Sequence, residues 1–196
     1  MRAPLFGVVH GLMLWNLFLA GVPAALAVVL FRRHASRNPA WWILFGAWVL
    51  FLPNAPYVLT DVTHLVDDVR NAHSKVHAYA VLVAFGAFFA AGLAAYVFSL
   101  QRFRRFLHRT VPARAVAPIL FALHGLCVVA MYVGRFIRLN SWDAVVAPAS
   151  VLHAVVRVPR PTTVALLAVM FVVVGVASYV TKMVGDQALV RLRRLR

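Results

Sequence analysis

Five stretches of this chain are almost entirely apolar, and each is long enough to cross a membrane as a helix. A helix needs about 20 residues to span the roughly 30 Å of hydrocarbon in a bilayer. Water does not tolerate such runs, so the pattern predicts an all-α integral membrane protein that forms a single polytopic domain over residues 1–196. The predicted spans are approximately Leu5–Phe31, Ala40–Thr60, Ala78–Leu100, Ala115–Ile137 and Thr162–Thr181. The first run is far longer than the apolar core of a signal peptide, so it is expected to be retained as a span.

Composition supports the membrane class and argues against a nucleic-acid-binding protein. Hydrophobic residues make up 63% of the chain and charged residues 13%, whereas a soluble domain carries about 25% charged residues. The net charge of +15 comes from arginines in short clusters between the apolar runs. Such clusters orient a membrane protein and bind anionic lipid headgroups. The expected partners are therefore the lipid bilayer and anionic headgroups at basic cytoplasmic loops, and the sequence identifies no cofactor or protein partner.

The positions of the basic residues predict the orientation of the chain. Thirteen of the 20 lysine and arginine residues fall in the first and third connections and after the last span. Four of the five aspartates fall on the opposite side. Because basic residues accumulate in cytoplasmic loops, the N-terminus is predicted to lie outside and the C-terminus in the cytoplasm of a bacterial inner membrane.

A sixth apolar stretch, Ala144–Val158, is too short to span. A short interfacial helix on the outer side is the expected structure, with Asn140 or Ser141 as its cap and Asp143 in its first turn.

Two prolines divide the second span. Pro53 and Pro56 each remove a backbone donor, and each disfavours helical angles at the residue before it, which predicts that Leu52 and Ala55 leave the helix. Irregular backbone at membrane depth is tolerated where it is buried in protein or lines a wet cavity. The alternative is an ordinary proline kink, or a short helix that ends at the interface.

Polar residues gather after this break. At 100° per residue, Tyr57, Asp61, His64 and Asp68 share one helical face. Two carboxylates and an imidazole at this spacing are able to bind a divalent cation or transfer protons. The alternative is the solvated face of an amphipathic outer helix.

Arg135 and Arg138, three residues apart, end the fourth span on the same side of the membrane. Arginines near hydrocarbon depth usually pair with another group. The candidate partners are Asp61, Asp68, Asp143 or an anionic substrate, and the alternative is that both side chains snorkel to lipid phosphates.

Three strings together resemble the signatures of domain-of-unknown-function family 1361, a family of bacterial multi-pass membrane proteins. They are Trp15–Ala20, Leu52–Tyr57 with the Thr60-Asp61 and His64-Leu65 that follow it, and Gly134–Asp143. The resemblance extends over nearly the whole chain and implies a membrane protein without an assigned reaction. The family's site residues that it implies are Asn54, Tyr57, Asp61, His64, Arg135, Arg138, Asn140 and Asp143.

Two functions compete. In the first, a polar site at the extracytoplasmic face handles an anionic lipid or a small anionic substrate. Asp61 and His64 are then the candidate catalytic residues, and the other six residues of that site bind substrate. No nucleophile motif, phosphate loop or dense metal-ligand cluster distinguishes an enzyme from a transporter. In the second, the protein is a non-catalytic structural or assembly subunit whose charges lock spans together.

Overall fold

The computed structural model describes residues 5–32, 37–137, 146, 147, 149, 153 and 161–194, and the regular structure within them is helical. A 3-10 segment, Val58–Asp61, joins the third helix to the fourth, and a π turn, Val133–Ile137, continues the sixth. The helices are α1 (Leu5–Leu30), α2 (Pro39–Phe51), α3 (Asn54–Tyr57), α4 (Val62–Arg70), α5 (Lys75–Thr110), α6 (Ala113–Tyr132) and α7 (Pro161–Arg194).

The described chain contains five helical stretches that are long and apolar enough to cross a membrane, which confirms the predicted all-α, five-span class. They are Met13–Leu30, Pro39–Arg70, Lys75–Thr110, Ala113–Ile137 and Pro161–Val184.

The second and third spans extend beyond their predicted ends. Ser74 caps α5 by accepting a hydrogen bond from the backbone N–H of His77 at 3.1 Å, and this helix continues through its arginine-rich last turns. The predicted interfacial helix over Ala144–Val158 falls almost entirely outside the described residues.

The interruption of the second span lies where the prolines predict it, between Phe51 and Asn54. The prediction that Leu52 and Ala55 leave helical angles is wrong. Leu52 has φ −54° and ψ −39°, and Ala55 lies within α3. Pro56 has no N–H to donate to the Leu52 carbonyl, and the N–H of Ala55 donates to it instead at 3.2 Å. The backbone therefore winds more tightly where the donor is missing, and it stays helical.

Helix α5 lies at the centre of the bundle, in contact with α1, α3, α4, α6 and α7. Its closest approach to the second span is at Gly92. A Cβ atom there would overlap Val58 Cγ2 and lie 2.7 Å from the Ala55 carbonyl oxygen. The absence of a side chain at Gly92 thus lets the segment after the prolines pack directly on α5.

An aromatic cluster closes one end of the bundle, which we call the arginine-rich end because α5 reaches it through Arg102–Arg109. Trp41 Nε1 donates to the Leu30 carbonyl at 3.1 Å and so ties the start of α2 to the end of α1. The Trp48 ring packs 4.9 Å from that of Phe103 on α5. The members of the cluster are Phe31, Trp41, Phe45, Trp48, Phe103 and Phe106.

A histidine joins three spans in the interior. His124 Nε2 on α6 lies 3.1 Å from the Phe171 carbonyl of α7, and its Nδ1 lies 2.8 Å from the buried Tyr96 hydroxyl of α5. A carbonyl can only accept, so Nε2 carries the proton, and in the neutral ring Nδ1 accepts from Tyr96. The ring packs beside Gly175, where a Cβ would lie in ordinary van der Waals contact with Nε2 at 3.6 Å.

The packing at Gly92 predicts a sharp sensitivity to side-chain size. Gly92→Ala should lower the free energy of unfolding by about 1–3 kcal/mol, because Val58 and the Ala55 carbonyl must move. The measurement is reversible unfolding of the purified protein in mixed micelles. Gly86→Ala on the same helix is the matched control, because a Cβ at Gly86 meets nothing within 4 Å. Equal effects of the two substitutions would contradict this packing.

Candidate functional site

Asp61 is a buried carboxylate at the end of the 3-10 segment, with 5% of the residue exposed. It occupies the position that precedes α4, yet its side chain does not cap that helix. Its Oδ2 instead accepts a hydrogen bond from Asn16 Nδ2 at 2.9 Å. The carboxylate is thereby directed across the bundle to α1.

Arg135 approaches Asp61 from the π turn that extends α6. Its Nη2 donates to Thr63 Oγ1 at 2.6 Å, and its Nη1 lies 3.9 Å from Asp61 Oδ1. A π turn is a rare winding that is frequent at functional sites. We call Asn16, Asp61, Thr63 and Arg135 the Asp61 cluster.

This cluster lies at membrane depth. Asn16 precedes the end of α1 at Leu30 by fourteen residues, which is about 21 Å along a helix. With about 30 Å of hydrocarbon to cross, Asn16 and the carboxylate bonded to it lie roughly two thirds of the way from the arginine-rich end. The pairing of Asp61 with an amide and a guanidinium is what a charge at that depth requires.

The contact between Asp61 and Arg135 is a loose ion pair. A separation of 3.9 Å is longer than the roughly 2.7–2.9 Å of a charge-assisted hydrogen bond. A guanidinium has five N–H donors, and the one hydrogen bond between Arg135 and a described residue goes to Thr63. The Arg135 side chain is 28% exposed, so part of this side chain is open to groups outside the protein.

Two of the predicted site residues are brought together, and two others lie earlier in the same span. Asp61 contacts Arg135, as one of the predicted partners of that arginine. Tyr57 is half-buried and packs on the core. Asn54 is also half-buried, and its Nδ2 donates to the Phe51 carbonyl at 3.0 Å. These two residues precede the carboxylate along the same span.

His64 follows Asp61 by three residues along the chain. It is exposed on the first turn of α4, and within the described residues no hydrogen bond joins it to Asp61. Helix α4 packs on α5 through Leu65 and leaves its other side open. The metal-binding set suggested by Asp61, His64 and Asp68 is therefore not assembled, and no group of three such ligands converges among the described residues.

Asn16 and Thr63 are members of the cluster that the helical-face argument missed. Asn16 had a signal in the sequence as a polar residue in mid-span, where interhelical hydrogen bonds are common. Thr63 had none, because a threonine on an amphipathic helix has no preferred role. Arg138, Asn140 and Asp143, the other predicted site residues, lie outside the described residues.

Comparison with protein families decides the family of this chain. The model of the family described as Protein of unknown function (DUF1361) matches residues 15–177. The chain is a DUF1361 protein. The match contains all four residues of the Asp61 cluster, and it confirms the resemblance seen in the sequence. Comparison with curated proteins and with solved structures gave no match for this DUF1361 protein.

The Asp61 cluster predicts a non-additive pair of substitutions. Arg135→Gln should lower the free energy of unfolding by about 2–3 kcal/mol, because it leaves a buried carboxylate without its countercharge. Adding Asp61→Asn should restore at least half of this loss, since the amide removes the unpaired charge and still bonds to Asn16. The measurement is a double-mutant cycle by unfolding in mixed micelles.

The exposed Arg70 at the end of α4 provides the control, because Arg70→Gln removes the same charge from the same end of the bundle. It should change stability by no more than about 0.5 kcal/mol. Additive effects of the substitutions at Arg135 and Asp61 would show that the two side chains do not interact.

Proposed function

We propose that this DUF1361 protein is a multi-pass protein of the bacterial inner membrane whose Asp61 cluster binds an anionic group at the extracytoplasmic face. The group belongs to an anionic lipid or to a small anionic substrate. The single observation that carries the proposal is the loose pair in the bundle, in which the partly exposed Arg135 side chain lies 3.9 Å from Asp61.

The orientation follows from charge. The arginine-rich end carries the basic connections, and the positive-inside rule assigns it to the cytoplasm. The Asp61 cluster lies toward the opposite end and therefore faces the extracytoplasmic side, with the N-terminus outside and the C-terminus inside. The basic end then binds anionic headgroups of the cytoplasmic leaflet.

Each member of the cluster has a role in this proposal. Arg135 binds the anion, because a guanidinium matches the geometry of phosphate and carboxylate oxygens. Thr63 and Asp61 hold the guanidinium, and Asn16 holds the carboxylate. Asp61 also accepts or returns a proton when the substrate reacts or moves. The exposed His64, three residues after Asp61, is the second candidate acid–base residue, although no hydrogen bond joins it to Asp61 among the described residues.

The remaining predicted binding residues complete the proposal. Asn54 and Tyr57 line the approach along the second span. The other three predicted substrate-binding residues follow Arg135 in the sequence: Arg138, Asn140 and Asp143. Binding of the anion is the step that an enzyme and a transporter share, so it is the step to test.

A structural or assembly role is the second candidate, and one observation favours it. The Asp61 cluster joins residues of α1, of the second span and of the π turn after α6. In that role the charges hold three spans together and bind no substrate. A charge swap, Asp61→Arg with Arg135→Asp, separates the two candidates. It keeps opposite charges at the two positions, but it moves the positive charge from position 135 to position 61.

The proposal predicts that anionic probes stabilise the protein through Arg135. Inorganic phosphate and dihexanoyl phosphatidic acid should raise the unfolding midpoint of the detergent-solubilised wild type. Arg135→Gln should weaken the apparent affinity by about tenfold or more, because a charge-assisted hydrogen bond contributes about 1.5–3 kcal/mol. Arg70→Gln should leave the affinity unchanged.

The charge-swap variant completes this experiment. If it restores stability but not the response to the probes, the cluster is a binding site. Equal probe responses in the wild type, Arg135→Gln and the charge swap would refute the binding proposal and leave the structural role.

A further inference from the structure

The surface around the Asp61 cluster is apolar and open. Phe136, which follows Arg135 in the π turn, is 57% exposed, and Ile137 after it is 39% exposed. Val62, between Asp61 and Thr63, is 48% exposed, and one turn later Val66 is 41% exposed. Exposed apolar side chains on a spanning helix face acyl chains. The residues that hold the guanidinium are therefore flanked by a surface that lipid covers.

The direction of the Arg135 side chain adds a second observation. Its backbone is about 30 Å along the helix from Arg114, close to the far edge of the hydrocarbon if Arg114 marks the near edge. An arginine at that level usually extends outward to water and headgroups. Arg135 instead reaches Thr63 and Asp61. The guanidinium is thus drawn inward from its backbone toward the depth of Asp61, within the hydrocarbon and beside the acyl-chain surface.

An aqueous anion and a lipid phosphate reach this position at different costs. The aqueous anion must lose its hydration to approach a guanidinium that is flanked by hydrocarbon. A phospholipid phosphate also loses hydration there, but it starts at the membrane surface, and the acyl chains of the same molecule cover the apolar flanks in place of other lipid. The charge of Arg135 and the apolar flanks together match one molecule that carries both a phosphate and an acyl chain.

We infer that the anionic group bound by the Asp61 cluster is the phosphate of a phospholipid from the extracytoplasmic leaflet, which reaches Arg135 laterally from the bilayer. Its phosphate oxygens accept hydrogen bonds from the N–H groups of Arg135 that do not bond to Thr63. An acyl chain lies along the surface formed by Val62, Val66, Phe136 and Ile137, which we call the lipid-facing strip. This inference rests on the proposed function and names the ligand class of that site.

Two probes that share one phosphodiester test the inference. The first is dioleoylphosphatidylglycerol, and the second is glycerophosphoglycerol, its deacylated headgroup. Binding to the full-length protein in dodecyl maltoside, a detergent without phosphate, is measured by native mass spectrometry and by the shift of the unfolding midpoint. The wild type should bind the lipid at least about 100-fold more tightly than the deacylated headgroup.

Variants then separate the charge from the acyl-chain surface. Arg135→Gln combined with Asp61→Asn should weaken lipid binding about tenfold or more, and the double variant is used because it leaves no unpaired buried charge. Phe136→Ala should weaken it about threefold or more through lost acyl contact. Phe121→Ala is the matched control, because Phe121 is also an exposed phenylalanine and lies on α6, away from the π turn.

The outcomes distinguish failure of the inference from failure of the proposed function. If the deacylated headgroup binds as tightly as the lipid and still requires Arg135, the lateral lipid route is wrong and the anion site stands. If the double variant and Arg70→Gln bind both probes as the wild type does, the anion site itself is wrong. Equal losses for Phe136→Ala and Phe121→Ala would overturn the lipid-facing strip.

Discussion

The inability of hydrocarbon to solvate a charge governs the polar part of this structure. Asp61 is buried about two thirds of the way across the bundle, where an unpaired carboxylate would be protonated or would destabilise the fold. An amide from α1 and a guanidinium from the π turn compensate it. The charge of Asp61 therefore brings together three elements that are distant in the chain.

The backbone conformation near Asp61 depends on two residues that lack a group other residues have. Pro56 lacks an N–H and Gly92 lacks a side chain, and together they allow the second span to tighten and to pack directly on α5. The 3-10 segment ends at Asp61, and the π turn carries Arg135. Both residues of the ion pair thus lie on backbone that is not α-helical. The arginine-rich end differs, because regular α-helices and aromatic packing close it.

The sequence predicted the class of fold well because the hydrocarbon thickness constrains the length of each span directly. It placed the interruption at Pro53 and selected Asp61 and Arg135 as charges in need of partners. It failed on local winding, since helical angles at Leu52 and Ala55 depend on how hydrogen bonds rearrange around Pro56. Periodicity also did not show which side of α4 packs on α5, and so did not predict that His64 is exposed. Asn16 and Thr63 belong to the cluster through contacts between residues distant in the chain, and the spacing of residues along one helix does not predict such contacts.

The most direct test of the account is the proximity of the first and second spans at the buried carboxylate. With Cys127 replaced by serine, Asn16→Cys and Asp61→Cys should be joined in native membranes by a short membrane-permeant bifunctional thiol reagent, because the ends of the two native side chains are in hydrogen-bond contact at 2.9 Å. Neither cysteine should react with a membrane-impermeant maleimide. Failure to crosslink, with rapid labelling of the cysteine at position 61, would show that the carboxylate lies in bulk water and that the cluster does not form.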